Sequence, residues 1–231
     1  MTEGVKRAYG GSRRRASAEQ TRRRIVEAAA SLFLDRGYAA TSIDAIAQAA
    51  AVSPATVYKV FGNKVAVVKA VGDAAAAGDH GPEPTADREW VRAAFSDPDP
   101  ERALEAFVRG GVAILQRVAP VIEMVTAAAH VEPELVSLAE GGDRGRRQNF
   151  RLFVSRLHER GQLRPGLTVE DATDAIYALQ SPETYLALVR RRGWTVEHLI
   201  EWLIDQLGHA ILPAPRPGRA KGATTQPGHF R

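Results

Sequence analysis

The sequence predicts an all-α protein in two parts, a small N-terminal three-helix domain and a larger C-terminal helical domain. Three observations carry this. Apolar residues recur at helical spacing from Ile25 to Ile211, residues that favour helix N-caps open the segments (Ser53, Thr168, Thr195), and glycines close them (Gly37, Gly161, Gly193). At 231 residues, with 45% hydrophobic and 25% charged side chains, the chain suits one domain or two small ones able to bury a core.

Residues 1–16 mix glycine, serine and arginine without periodicity and are expected to form a disordered basic arm. From Ser17 the pattern is helical: Ile25, Ala28, Ala29, Leu32 and Phe33 share one face, and the segment ends at Gly37. Arg22, Arg23 and Arg24 lie in its N-terminal turns, where they could face phosphate or simply be solvated. A second helix follows, capped by Thr41 or Ser42, with Ile43, Ile46, Ala47 and Ala50 on one face. Asp44 stands three residues after Thr41, as in a capping box. After a break around Ala51, Ser53 as N-cap and Pro54 at the first helical position start a third, short helix. That helix buries Val57 and Phe61, four apart, and leaves Thr56, Tyr58 and Lys59 on other faces. Two short helices joined by a tight turn, with small polar and aromatic residues at the start of the second, describe a helix-turn-helix.

Charge is divided in the same way. Residues 1–77 hold 12 basic and 6 acidic side chains, residues 78–212 hold 15 and 21, and residues 213–231 hold 4 basic and none acidic. A basic N-terminal module on an acidic body fits a phosphate contact at one end only.

The stretch "ATSIDAIAQAAAVSPATVYKVFGNKVAVVKAV" resembles the DNA-binding region of the TetR family of bacterial transcriptional regulators, with the likeness running from Ile25 to Val71. Its threonine-rich cap, isoleucine-alanine, short turn, valine-serine, threonine-aliphatic-tyrosine triplet, phenylalanine and lysine stand in that family's order and spacing. One departure is Ala51, where the family usually has glycine; a left-handed backbone there costs on the order of 1 kcal/mol. The resemblance implies a DNA-contacting set of Thr41, Ser42, Ser53, Pro54, Ala55, Thr56, Tyr58, Lys59 and Lys64. Thr41, Ser42 and Ser53 would present helix N-termini to phosphate. Pro54, Ala55 and Thr56 would lie nearest the bases, Lys59 would reach guanine, and Tyr58 and Lys64 would hold the backbone.

Beyond Val71, residues 72–90 are rich in alanine, glycine and proline and mark an exit into a loop. Leu104, Phe107, Val108, Gly111, Leu115 and Val118 form one apolar stripe, and Val121, Ile122, Met124 and Val125 start another after Pro120. Phe150, Phe153, Val154 and Leu157 form a third, ending at Gly161, while the glycines of residues 140–148 either bend or break the helix that begins near Pro133. Thr168 opens a helix with Val169, Ala172, Ile176 and Leu179. Ser181 and Pro182 restart it, carrying Tyr185, Leu186 and Val189 to Gly193. Thr195 caps the last helix, whose Val196, Leu199, Ile200, Leu203, Ile204, Leu207 and Ile211 form a continuous seam. Residues 213–231 are basic, aperiodic and expected to be disordered. The domains are thus an arm (1–16), a helix-turn-helix domain (17–63), a helical body (64–212) and a tail (213–231).

The resemblance further implies that the body is a ligand-binding and dimerisation domain. The last two helices would pair with their copies in a homodimer, unless the seam packs only within one subunit. A small-molecule effector would release a palindromic double-stranded DNA operator. Lining candidates for the effector are Phe107, Met124, Thr126, His130, Phe150 and Tyr177, aromatic, soft or polar residues near apolar stripes. A regulator needing no ligand, or an activator, remains open. An enzyme is the competing class. The chain has no G-x-G-x-x-G, P-loop, G-x-S-x-G or H-E-x-x-H, and no cysteine for a nucleophile or thiolate metal site. No catalytic residue, metal or cofactor is therefore expected. The arginine-rich start lacks an apolar h-region, and no uninterrupted apolar run nears the roughly 18 residues of a membrane span. The expected location is the cytoplasm, without membrane contact.

Overall fold

The computed structural model describes residues 3–78, 89–130 and 132–214, with side chains from Arg15 onward. Among these every regular element is a helix: α1 (Glu3–Ala40), α2 (Ile43–Ala49), α3 (Pro54–Phe61), α4 (Lys64–Ala77), α5 (Glu89–Ser96), α6 (Pro100–Ala128), α7 (Pro133–Glu159), α8 (Val169–Leu179), α9 (Pro182–Tyr185) and α10 (Val196–Ile211), with a π-helical stretch at Leu186–Arg191. The backbone of α1 is helical from Glu3, through residues whose sequence predicts an aperiodic arm; their arginines and alanines favour helix despite the glycines. The side chains of that stretch before Arg15, and the tail from residue 215, lie outside the described residues. So does most of the loop predicted after α4, which itself continues through Gly72 to Ala77 and closes on left-handed Gly78.

Local chemistry sets the boundaries. Gly37 breaks the helical run of α1 with a φ of 78°. Ser42, Ser53, Asn63, Asp99, Thr168, Ser181 and Thr195 each accept a backbone N–H from the first turn of the helix they precede. Residues 140–148 neither break nor end α7, which is helical from Pro133 to Glu159.

Two apolar cores organise the chain. The first joins Ile25, Phe33, Ile46, Val57 and Val67 of α1 to α4 with Val121 and Val125 of α6 and Leu135 of α7. The second is built from Leu104, Phe107, Val108 and Leu115 of α6, Phe150, Phe153 and Leu157 of α7, Ile176 of α8 and the inner face of α10. Rings of Phe107 and Phe153 stack at 4.0 Å, and Phe150 meets Phe107 edge-on. The α10 seam lies in this core, with Leu199, Leu203, Leu207 and Ile211 all buried within the one chain. By length and composition α6 could cross a membrane, yet its apolar positions fill both cores.

Candidate nucleic-acid interface

The α2–α3 pair is set by a tight turn. Val52 N–H donates to the Ala47 carbonyl at 3.0 Å and Ala51 N–H to that of Gln48 at 3.1 Å, the two bonds of a Schellman motif. The motif requires a left-handed residue after the C-cap. That residue is Ala51, with a φ of 52°, alone among described non-glycine residues in having positive φ.

From this turn the chain enters α3. Ser53 Oγ accepts from Thr56 N–H at 3.2 Å and lies 2.9 Å from Thr56 Oγ1. Pro54 at N1 gives up no helical hydrogen bond. Val57 is fully buried beneath, so Pro54, Ala55, Tyr58 and Lys59 are turned to solvent together. Tyr58 is 54% exposed, a large apolar surface for one residue of a small helix. Phe61 is half-buried, and the Arg22 guanidinium sits 4.6 Å over its ring, bringing α1's basic start to the end of α3.

The other residues of the expected contact set are placed differently. Ser42 is exposed and caps α2 by accepting from Ala45 N–H at 3.1 Å. Thr41 is only 1% exposed, and its hydroxyl donates back to the Gly37 carbonyl at 2.8 Å. Thr41 is therefore a structural tie at the end of α1, its side chain spent on a carbonyl freed by the Gly37 break. Ser42, one residue later, takes the cap that Thr41 and Asp44 suggest. Lys64 is half-buried with its Nζ 3.8 Å over the Tyr38 ring, and burial, opposed by the Glu132 charge, holds its pKa below the usual lysine value.

Tyr38, Lys64, Asn63, Glu132 and Glu134 line a shallow cleft where α1, α4 and α7 meet. Tyr38 and Glu132 carry no motif. Only the position of Tyr38 next to the helix-ending Gly37, and of Asn63 as a cap before α4, marks them in the sequence. A second shallow concavity lies between α1 and the turn, lined by Arg24, Glu27, Ser31 and Ala51. None of the six expected effector-lining residues borders either; Phe107, Phe150 and Tyr177 share the second core, and the other three lie elsewhere. Phe107 and Phe150 are in the second core, Met124 packs on the first, Thr126 and His130 are exposed, and Tyr177 donates to Asp143 at 2.7 Å.

Residues 25–71 match the family described as bacterial regulatory proteins, tetR family. Residues 25–71 are a TetR-family segment. Over 50 residues the chain is 46% identical to an uncharacterized HTH-type transcriptional regulator, YdeS, of Bacillus subtilis (strain 168), covering 22% of this chain and 25% of that protein. The chain thus spans a quarter of that relative's length. Solved TetR-like structures match far more of the fold. NalD of Pseudomonas aeruginosa, the secondary repressor of the MexAB-OprM multidrug efflux pump, aligns over 85% of this chain and 98% of its own at 21% identity, with a TM-score of 0.62. The TetR family transcriptional regulator PfmR of Thermus thermophilus aligns over 83% and 99% at 24% identity, with a TM-score of 0.57. The fatty acid degradation regulator FadR of Bacillus halodurans aligns over 80% and 93% at 18% identity, with a TM-score of 0.60. The body of the chain therefore shares the helical architecture of TetR-family regulators.

Proposed function

We propose that this chain is a dimeric transcriptional repressor of the cytoplasm that lays α3 in the major groove of a palindromic operator and is released by a small molecule. The observation that carries the reading is the solvent face of α3: Pro54, Ala55, Tyr58 and Lys59 stand exposed together behind two serine-capped helix starts, on the basic end of the chain. Ser42 and Ser53 bring backbone N–H groups and the positive ends of α2 and α3 to one surface, which suits two phosphates flanking a groove. Ala55 and the Thr56 methyl suit a thymine methyl, Lys59 suits guanine O6 and N7, and Tyr58 suits a phosphate oxygen.

Dimerisation supports reading two half-sites. Because the α10 seam is occupied inside the subunit, the outer faces of α8 and α10 would meet their copies, with half-buried Trp202, edge-on to Trp194, at the contact. An effector entering the second core would meet Phe107 and Phe150, and it would release DNA only by binding the DNA-incompetent state more tightly. Relatives named as regulators favour this reading over an enzyme.

The test is to select sequences from a random DNA pool with the full chain, measure affinity against salt, and screen small molecules for release. The expected result is a palindromic site bound with a steep negative slope of log K against log salt. Absence of salt-dependent binding to any selected DNA would sink the proposal.

A further inference from the structure

The boundary between the two cores runs through the middle of α6 and α7 rather than through a loop. On α6, Ala119 belongs to the second core and Val121 to the first, so the change falls at Pro120. Proline there lacks the N–H that would bond the Gln116 carbonyl, and its ring crowds the preceding turn. On α7, Leu135 and Leu138 pack on the first core and Phe150 and Phe153 on the second. Between them stand Gly141, Gly142 and Gly145, all exposed. A Cβ would meet nothing within 4 Å at Gly142 or Gly145, and only the tip of Arg144 at 4.0 Å from Gly141. Within the subunit these glycines make room for no neighbour; what they give α7 is a weak helix.

We propose that Pro120 and the Gly141, Gly142 and Gly145 group form a two-helix hinge, about which the helix-turn-helix domain swings as one body with the end of α6 and the start of α7. Attachments on either side fit this. Below the hinge, the Tyr38 hydroxyl donates to the Glu132 carboxylate at 3.3 Å and Leu135 is fully buried, fastening the α6–α7 connection to the domain. Across it, Arg117 donates to the Ala75 and Ala76 carbonyls at 2.8 and 3.3 Å, tying the last turn of α4, whose Ala75 packs on the first core, to the upper side. Bending at Pro120 therefore shifts the point at which α4 is held. The hinge follows from packing alone; its use in effector response rests on the function proposed above.

Amide hydrogen exchange on the full chain tests the hinge without DNA. Peptides covering residues 117–124 and 139–149 are expected to exchange faster than those covering 103–115 and 150–157. Replacing the three glycines by alanine is expected to slow exchange in 139–149 by about five-fold per substitution, from the usual helix penalty of glycine. Pro120→Ala, which restores the bond to Gln116, slows 117–124. Equal protection along both helices in the unaltered protein, or no slowing in the variants, overturns the proposal. So does loss of dimer in sedimentation of the glycine variant, since the glycines would then serve a subunit contact. A second arm measures affinity for selected operators whose half-sites are moved apart by one base pair, where the stiffened variant is expected to lose more affinity than the unaltered protein. If no DNA is bound while the exchange pattern holds, the function fails and the hinge stands.

Discussion

The Tyr38 hydroxyl donates to the Glu132 carboxylate at 3.3 Å, joining the end of α1 to the start of α7 across 94 positions of sequence. Burial first, then the neighbouring Glu132 charge, pushes the Tyr38 pKa up to about 12. A group whose folded pKa exceeds its unfolded value near 10 contributes stability that is full below pH 10 and disappears as pH rises through 12. Tyr38→Phe is therefore expected to remove part of the alkaline loss of stability. Lys64, Glu132 and Glu134 face the same cleft in both proteins, so the difference between their denaturation curves from pH 9 to 12 isolates Tyr38. At pH 7 the variant is expected to be about 1 kcal/mol less stable, through the lost hydrogen bond.

Ala51→Gly is expected to stabilise the protein by about 0.5–1 kcal/mol. Relief of left-handed strain, about 1–2 kcal/mol, exceeds the entropy glycine adds to the unfolded chain. Urea denaturation measures this, and DNA affinity should not fall, because the turn geometry is kept.

On the α3 surface, Tyr58→Phe and Lys59→Ala are expected to leave stability within about 0.5 kcal/mol, since both side chains are exposed. Tyr58→Phe is expected to weaken operator binding about ten-fold, as loss of a hydrogen bond to a charged oxygen implies. Lys59→Ala separates two roles. Relaxed specificity at one base marks a guanine contact, and a salt slope reduced by about 1 marks a phosphate contact.

Leu203→Ala and Trp202→Arg are expected to behave differently. Leu203 is fully buried in the subunit's own core, so its truncation should cost about 2–5 kcal/mol of folding stability. Trp202→Arg should leave the subunit folded and shift sedimentation towards monomer.

A glycine pair in α6 gives a contrast with α7. A Cβ on Gly110 would overlap the indole of Trp90 from α5, so Gly110→Ala is expected to destabilise by roughly 1–3 kcal/mol through overpacking. Gly142→Ala, in open space, is expected to stabilise by about 0.5–1 kcal/mol. Thermal melts of the two variants give opposite signs.

What was legible in the sequence was local. Gly37, the Ser53-Pro54 start and the left-handed Ala51 follow from backbone chemistry within four residues, and the structure has each of them. What depends on distant neighbours was not. Thr41 and Ser42 both suit an N-cap, and only the carbonyl freed at Gly37 turns Thr41 inward. The α10 periodicity marks an apolar face without saying whether the same chain or a copy covers it, and here the same chain does. The glycines of α7 lower its propensity without ending it, because apolar packing at both ends holds the helix. For the candidate site, the exposed face of α3 could be read from helical spacing, whereas the engagement of Lys64 by Tyr38 needed the fold.

The core that supports α3 includes Val121, Val125, Ala128 and Leu135. During synthesis from the N-terminus, α1 to α4 therefore emerge with one side of their core open, and it stays open until Leu135 has left the ribosome. A fragment stopping at Ala77 is left with that apolar surface in water. The core beneath α3 thus runs from Ile25 to Leu135, more than twice the length of the 25–71 family match.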